Sequence, residues 1–213
     1  QGHIGRTTAV YNTIAQTYAN QIEQFVPQQE RELFIKLVKK NGKILDAGCA
    51  AGRDSAYFAK QGFKVIGIDL SEELLKIART KYPQLDFRLQ DMRQLKFKSL
   101  SFDGIWANAS LLHLKRDEVS SVLKQFYILL KPKGVMFVSV KEGNGEKDVA
   151  EPLSGNLPRH FTFFRLDELK RLFVNTGFTV ENIYTYREGD RKDGKRNLVI
   201  VASFSRKTWS LFI

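Results

Sequence analysis

The stretch Ile44-Leu45-Asp46-Ala47-Gly48-Cys49-Ala50-Ala51-Gly52-Arg53-Asp54 decides the fold. Its first residues extend Lys43 into a short apolar strand, Lys43–Ala47, and Arg53–Lys60 carries helical spacing up to Gly62. Between the two lies a run of small residues that lets the backbone approach a ligand. The helix start behind it offers free N–H groups and the positive end of a dipole. A tight strand–helix turn without a ligand is the plainer reading of this loop taken alone. A dinucleotide fingerprint would need glycines at 48, 50 and 53; the chain has Gly48, Ala50 and Arg53, and fits it poorly.

The pattern continues on both sides. Upstream, Thr8–Ile22 and Gln28–Val38 space their apolar residues as helices. Downstream come strand Lys64–Ile68, helix Ser71–Tyr82 with Ser71 as N-cap, and strands Asp86–Leu89 and Phe102–Ala107. Helix Asp117–Leu130 ends at Pro132 and Gly134, and strand Val135–Val140 follows; Asp167–Asn175 is the last helix. Phe178–Tyr186 and Asn197–Phe204 read as strands joined through Asp193-Gly194, a hairpin pair. Alternating strands and helices predict an α/β architecture, a doubly wound, mostly parallel seven-stranded sheet with helices on both faces. The terminal pair, lacking a helix between its strands, must be antiparallel. Gln1-Gly2-His3 is expected to be a tag remnant, leaving residues 4–213 as one domain.

Composition narrows the class further. The 213 residues are 43% hydrophobic and 27% charged, too apolar for a disordered chain and lacking an apolar run of membrane-spanning length. A lone cysteine, Cys49, excludes an intramolecular disulfide and a cysteine-based zinc cluster, and no metal is expected. With no signal peptide in view, the expectation is cytoplasmic. The net charge of +11 hints at nucleic acid, but it is spread: 19 basic and 13 acidic residues to position 130, then 15 and 10. Arg187–Arg196 is the local basic cluster, interrupted by acids and glycines.

Strand ends carry the functional signal. The second strand ends at Asp69, beside Leu70, where a carboxylate can accept hydrogen bonds from a ribose diol. The third is followed by Asp91-Met92, an acid and an apolar neighbour suited to the amino group and face of an adenine. Three successive strand ends with such chemistry at one edge of a sheet point to a nucleoside ligand.

At this point the sequence resembles the class I S-adenosylmethionine-dependent methyltransferases, from Tyr11 to Phe204. The family's acid-x-Gly-x-Gly-x-Gly loop is matched by Asp46, Gly48, Ala50 and Gly52, with Ala50 replacing the middle glycine. Its ribose acid falls on Asp69 and its adenine pair on Asp91 and Met92. Phe102–Ser110 looks like its fourth strand, whose end at Asn108 faces the transferred methyl, and Leu130-Lys131-Pro132-Lys133-Gly134 resembles the turn before its fifth. The resemblance implies S-adenosylmethionine as cofactor and S-adenosylhomocysteine as product. It also implies that Arg53 pairs with the cofactor's carboxylate, against the alternative of a solvated helix-start arginine.

Methyl transfer needs alignment above all, and a base only when the acceptor is protonated. Asn108-Ala109-Ser110-Leu111 is not the Pro-Pro-aromatic motif of base-amine methylation, and Cys49 is no Pro-Cys nucleophile. His113 and His160 are the candidate bases; for His113 the alternative is a histidine hydrogen-bonded at a helix start. Tyr11 and Arg159 are candidate acceptor-binding residues. Tyr11 and Tyr18, on one face of the first helix, are placed to close over the cofactor, though helix packing explains them equally well. Residues 142–164 read as a long substrate-covering loop. The leading expectation is a small-molecule methyltransferase, monomeric or homodimeric. The alternatives are a tRNA modified-uridine methyltransferase, on partial likeness at Arg159-His160-Phe161 and Arg196-Asn197, and a non-catalytic S-adenosylmethionine-binding protein.

Overall fold

Ile44 and Leu45 point to opposite faces of strand β1 (Lys43–Ala47), and both are fully buried, so the strand is covered on both sides. The computed structural model describes residues 2–187 and 199–207, without the side chains of Val199 and Val201. The Asp193-Gly194 turn and the basic cluster beyond Arg187 lie outside the described residues.

Parallel neighbours flank β1: β2 (Lys64–Asp69), then β3 (Asp86–Leu89), on one side, and β4 (Phe102–Asn108), then β5 (Leu130–Lys141), on the other. Strand β9 (Val199–Lys207) runs antiparallel to β5, and β8 (Phe178–Arg187) pairs antiparallel outside it. The order is therefore β3-β2-β1-β4-β5-β9-β8, with β9 as the reversed strand. Connections diverge between β1 and β4, and in open α/β sheets the crevice beyond the strand ends at that point takes the ligand.

One face of the sheet is buried by α2 (Gln28–Leu37) and α3 (Arg53–Lys60), through Phe34 and Phe58 packed on Trp106, which stacks on Phe137 at 4.0 Å. Toward β3 the same face receives α4 (Glu72–Lys81), where Ser71 accepts from the Leu74 N–H as the expected N-cap. The opposite face packs under α5 (Arg116–Leu129) and α6 (Leu166–Thr176), with Val122, Phe126, Leu169 and Phe173 against Leu45, Ile105 and Met136. Helix α1 (His3–Ile22) starts earlier than the sequence pattern suggested; His3 lies inside it, its Nε2 3.0 Å from Glu118 Oε2.

The segment expected as a covering loop is instead ordered. Strands β6 (Glu146–Ala150) and β7 (Pro158–Thr162) form a separate antiparallel pair, and α1 packs on β7. Within β7 the polar residues Arg159, His160 and Thr162 are buried beside Phe161, so the apolar alternation is interrupted and the period-2 signal is weak.

Candidate active site

The small-residue loop turns back so sharply that the N–H groups of Gly48 and Cys49 both donate to the carbonyl of Ile68, at 2.8 and 2.9 Å. Gly48 has φ +86°, and a Cβ there would meet the Cβ of Ser110 at 2.4 Å. Gly52, at φ +81°, caps α3 beneath the ring of Phe87, which would stand 2.6 Å from an added Cβ. Ala50 takes a left-handed conformation too, φ +49°, and its N–H donates to Asp69 Oδ2 at 2.9 Å. Asp69 Oδ1 accepts from the Ser71 N–H at 2.8 Å, and burial raises its pKa. A single carboxylate thus ties the first loop to the end of β2.

A cavity of about 1040 Å³ opens over this edge, between the strand ends and α1. That lies at the upper end of the usual range for ligand sites. On the β1–β3 side it is lined by Asp46, Ala50, Asp69, Leu70, Asp91 and Met92, with Tyr18 from α1. Asp46 is 2% exposed and accepts from Ser55 Oγ at 2.6 Å; burial and the neighbouring Asp54 push its pKa up to about 7. The hydrogen bond from Ser55 and the nearby guanidinium of Arg53 offset this only in part. Arg53 lines the cavity but chelates Asp54 through Nε and Nη2 (2.9 and 3.1 Å) and donates through Nη1 to the carbonyls of Ile22 and Phe25. Arg53 is thus anchored between α1 and α3, with one Nη2 hydrogen left over for a ligand. Asp54 also accepts from Trp106 Nε1 at 3.0 Å; burial opposes its ionisation, but Arg53 and Arg31 hold its pKa below the usual carboxylate value. Asp91 lines the cavity while bound to Arg93, which reaches on to Glu118.

This donor set fits S-adenosylmethionine. Asp46 is a buried carboxylate lacking a cation of its own, and the cofactor's amino group is a cation. Asp69 keeps lone pairs for a diol, and Met92 offers an apolar face beside Asp91. Gly52, by contrast, shapes the loop without lining the cavity.

On the β4–β7 side the residues form one chain of hydrogen bonds. His113 Nδ1 lies 2.7 Å from the carbonyl oxygen of His160, which can only accept, so Nδ1 carries the proton. Nε2 therefore accepts from the Tyr11 hydroxyl at 2.8 Å, and that oxygen accepts from Arg159 Nη1 at 2.6 Å. Burial, and then the charge of Arg159, drive the His113 pKa down to about 3, leaving a neutral imidazole. Arg159 continues to Glu151 Oε2 at 2.8 Å, and the other carboxylate oxygen receives Lys141 Nζ. Asn108, at the end of β4, accepts from Ser139 Oγ at 2.6 Å.

His160 corrects the sequence expectation. Its side chain turns from the cavity toward Asp148 (3.4 Å) and Glu146 (3.7 Å), so it serves the site through its backbone alone. Lys141, Glu151, Ser110 and Ser139 line the cavity and were not among the candidates. Lys141 was the detectable one: a lysine ending the continuously buried, mainly apolar run 134–141 at the active edge.

A family described as a methyltransferase domain matches residues 44–134, from β1 into β5. YqeM of Bacillus subtilis (strain 168), itself named only as a methyltransferase, is 32% identical over 137 residues, 62% of this chain and 55% of that protein. The O-methyltransferase cnsE of Penicillium expansum is 29% identical over 178 residues, 78% of this chain and 62% of that one. The chain thus spans somewhat over half the length of these curated relatives. A 1,6-didemethyltoxoflavin-N1-methyltransferase of Burkholderia thailandensis, solved with that compound and S-adenosylhomocysteine bound, superposes with a TM-score of 0.77. It is 23% identical and is aligned over 97% of this chain and 89% of its own, a likeness of fold.

Proposed function

We propose that this chain, which belongs to the class I S-adenosylmethionine-dependent methyltransferases, methylates a small molecule bound in the cavity over β4 and β7. The observation that carries the reading is the continuity of that cavity. It joins the carboxylates at the ends of β1–β3 to a chamber walled by Tyr11, Leu112, Leu153 and Phe161. S-adenosylmethionine, when bound, supplies an already activated methyl group, so the protein has mainly to align an acceptor. Asp69 would hold the ribose hydroxyls, Asp91 and Met92 the adenine, and Asp46 the amino group. Tyr11 and His113 position rather than deprotonate. A base must be able to hold the proton it removes near working pH, and burial beside Arg159 denies His113 that capacity.

The RNA alternative rests on the net charge, the Arg187–Arg196 cluster and the partial likeness at Arg159-His160-Phe161 and Arg196-Asn197; of the cluster, only Arg187 falls within the described residues. The apolar and aromatic chamber supports the small-molecule reading.

Calorimetry with S-adenosylmethionine tests the proposal. The expected result is saturable binding by the wild type, lost in Asp69→Ala, and a methylated product detected by mass spectrometry from a small-molecule extract. Undiminished binding by Asp69→Ala would sink it.

A further inference from the structure

Arg31 is a buried arginine whose hydrogen-bonding edge is idle. It stands on α2 with 4% of its surface exposed, and its guanidinium lies over the ring of Tyr57 at 4.6 Å. Stacking holds the plane of a guanidinium without engaging the N–H groups on its edge. Among the described residues, Arg31 Nε and Nη2 are buried without a hydrogen-bond partner. Nε is 3.3 Å from Asp54 Oδ1, within ion-pair range but out of line for a hydrogen bond. Arg53 holds that place instead, and it does so through the same two atoms, Nε on Oδ1 and Nη2 on Oδ2. Asp54 is thus flanked by two side-on forks, one engaged and one idle, and this fork is the edge of arginine that matches a carboxylate. Of the two arginines, Arg53 is the one that lines the cavity.

We infer that Arg31 is a positioning residue for the cofactor: its idle fork takes over Asp54 when the carboxylate of the cofactor's amino-acid end draws on Arg53. This deepens the proposed cofactor site and rests on it. Asp46 is assigned the ammonium; the carboxylate hangs from the same carbon, and Arg53 is a cavity-lining cation whose charge acts on Asp46. That carboxylate competes with Asp54 for the Nη2 edge of Arg53, while Nη1 keeps the carbonyls of Ile22 and Phe25. With one arginine, either Asp54 or the ligand would be left poorly held in a buried place, and breaking a buried charged pair is costly. A second fork already within ion-pair distance removes that conflict. The exchange also gives the two idle N–H groups of Arg31 the partners that buried donors normally have.

The test is calorimetry with S-adenosylhomocysteine and with its decarboxylated analogue, which keeps the ammonium and lacks only the carboxylate. The wild type is expected to prefer S-adenosylhomocysteine at least about tenfold, the scale of one charge-assisted contact. In Arg31→Met that preference should fall to within about twofold, with affinity for the analogue unchanged, because Arg53 is then committed to Asp54. Arg31→Lys, charged but without a fork, should restore only part of it. Nuclear magnetic resonance reads the exchange in the wild type and needs no variant. The Arg31 Nε–H signal should shift and exchange more slowly with water when S-adenosylhomocysteine is added, and should not respond to the analogue. A preference unchanged in Arg31→Met overturns the inference. So does equal weakening of both ligands, which marks a structural role, or full restoration by Arg31→Lys. An Arg31 Nε–H that responds alike to both ligands, or a wild type without the preference, overturns it as well. Failure of the wild type to bind S-adenosylhomocysteine at all instead overturns the reading beneath it.

Discussion

Asp46 sits at the end of a strand buried on both faces, with Asp54 nearby, and the coupling of those facts makes it a titrating group near neutrality. Because its pKa is raised in the fold, its contribution to stability is complete below the ordinary carboxylate value, roughly 4, and is lost as pH rises through about 7. A bound cation reverses the balance by favouring the carboxylate. Affinity for S-adenosylmethionine is therefore expected to rise about tenfold per pH unit below that pKa and to level off above it, with proton release on binding. Asp46→Asn should flatten the profile, bind weakly, and melt higher than the wild type without ligand at about pH 8. Calorimetry in buffers of different ionisation enthalpy reads the proton directly. A pH-independent affinity in the wild type would remove Asp46 from the cofactor's contacts.

Helix α1 works as a strap across the cavity. Asn12 Oδ1 accepts from Ser71 Oγ at 2.7 Å on the α4 side, Thr7 Oγ1 accepts from the His160 N–H at 3.1 Å on the β7 side, and Tyr11 reaches inward between them. Tyr11→Phe leaves two buried groups, His113 Nε2 and an Arg159 N–H, without their partner. The expected cost is about 1–3 kcal/mol of unfolding free energy, with faster amide exchange along α1. Unchanged stability and exchange would reduce Tyr11 to packing. The parallel strands were legible because punctuation sets them off: Gly42 before β1, Gly62 before β2, Pro83 before β3. The β6–β7 pair was not, because the buried polar residues Arg159, His160 and Thr162 interrupt the apolar pattern around Phe161, and the glycines and prolines around it imitate a loop. The same physics hid half the site. Asp46, Asp69 and Asp91 follow from the strand-end rule, whereas the meeting of Lys141, Glu151 and Arg159 depends on the fold of a strand pair whose hydrophobic signature is weak. Arg53 shows a third case: the residue is where its motif places it, yet its guanidinium is engaged with Asp54 and two carbonyls that sequence alone does not reveal.

For the whole molecule, +11 is a long-range field, while the cavity's charges act at contact distance. The two are separable by salt. No helix among the described residues is long and apolar enough to cross a membrane, and several described surface arginines are paired with carboxylates: Arg79 with Glu72, Arg88 with Asp86, Arg171 with Asp167. Polyanion binding by such a surface is diffuse and weakens steeply with salt, because each phosphate contact releases counterions. Bulk tRNA is therefore expected to bind at about 50 mM salt and to lose at least about a hundredfold in affinity by about 200 mM. S-adenosylhomocysteine binding, enclosed by α1 and the strand ends, should change little over that interval, since buried pairs are screened far less than exposed ones. Fluorescence anisotropy with labelled tRNA and parallel calorimetry separate the two. Retained tRNA affinity at the higher salt, with methyl transfer to the tRNA, would move the acceptor from a small molecule to RNA and make the net charge part of the active site.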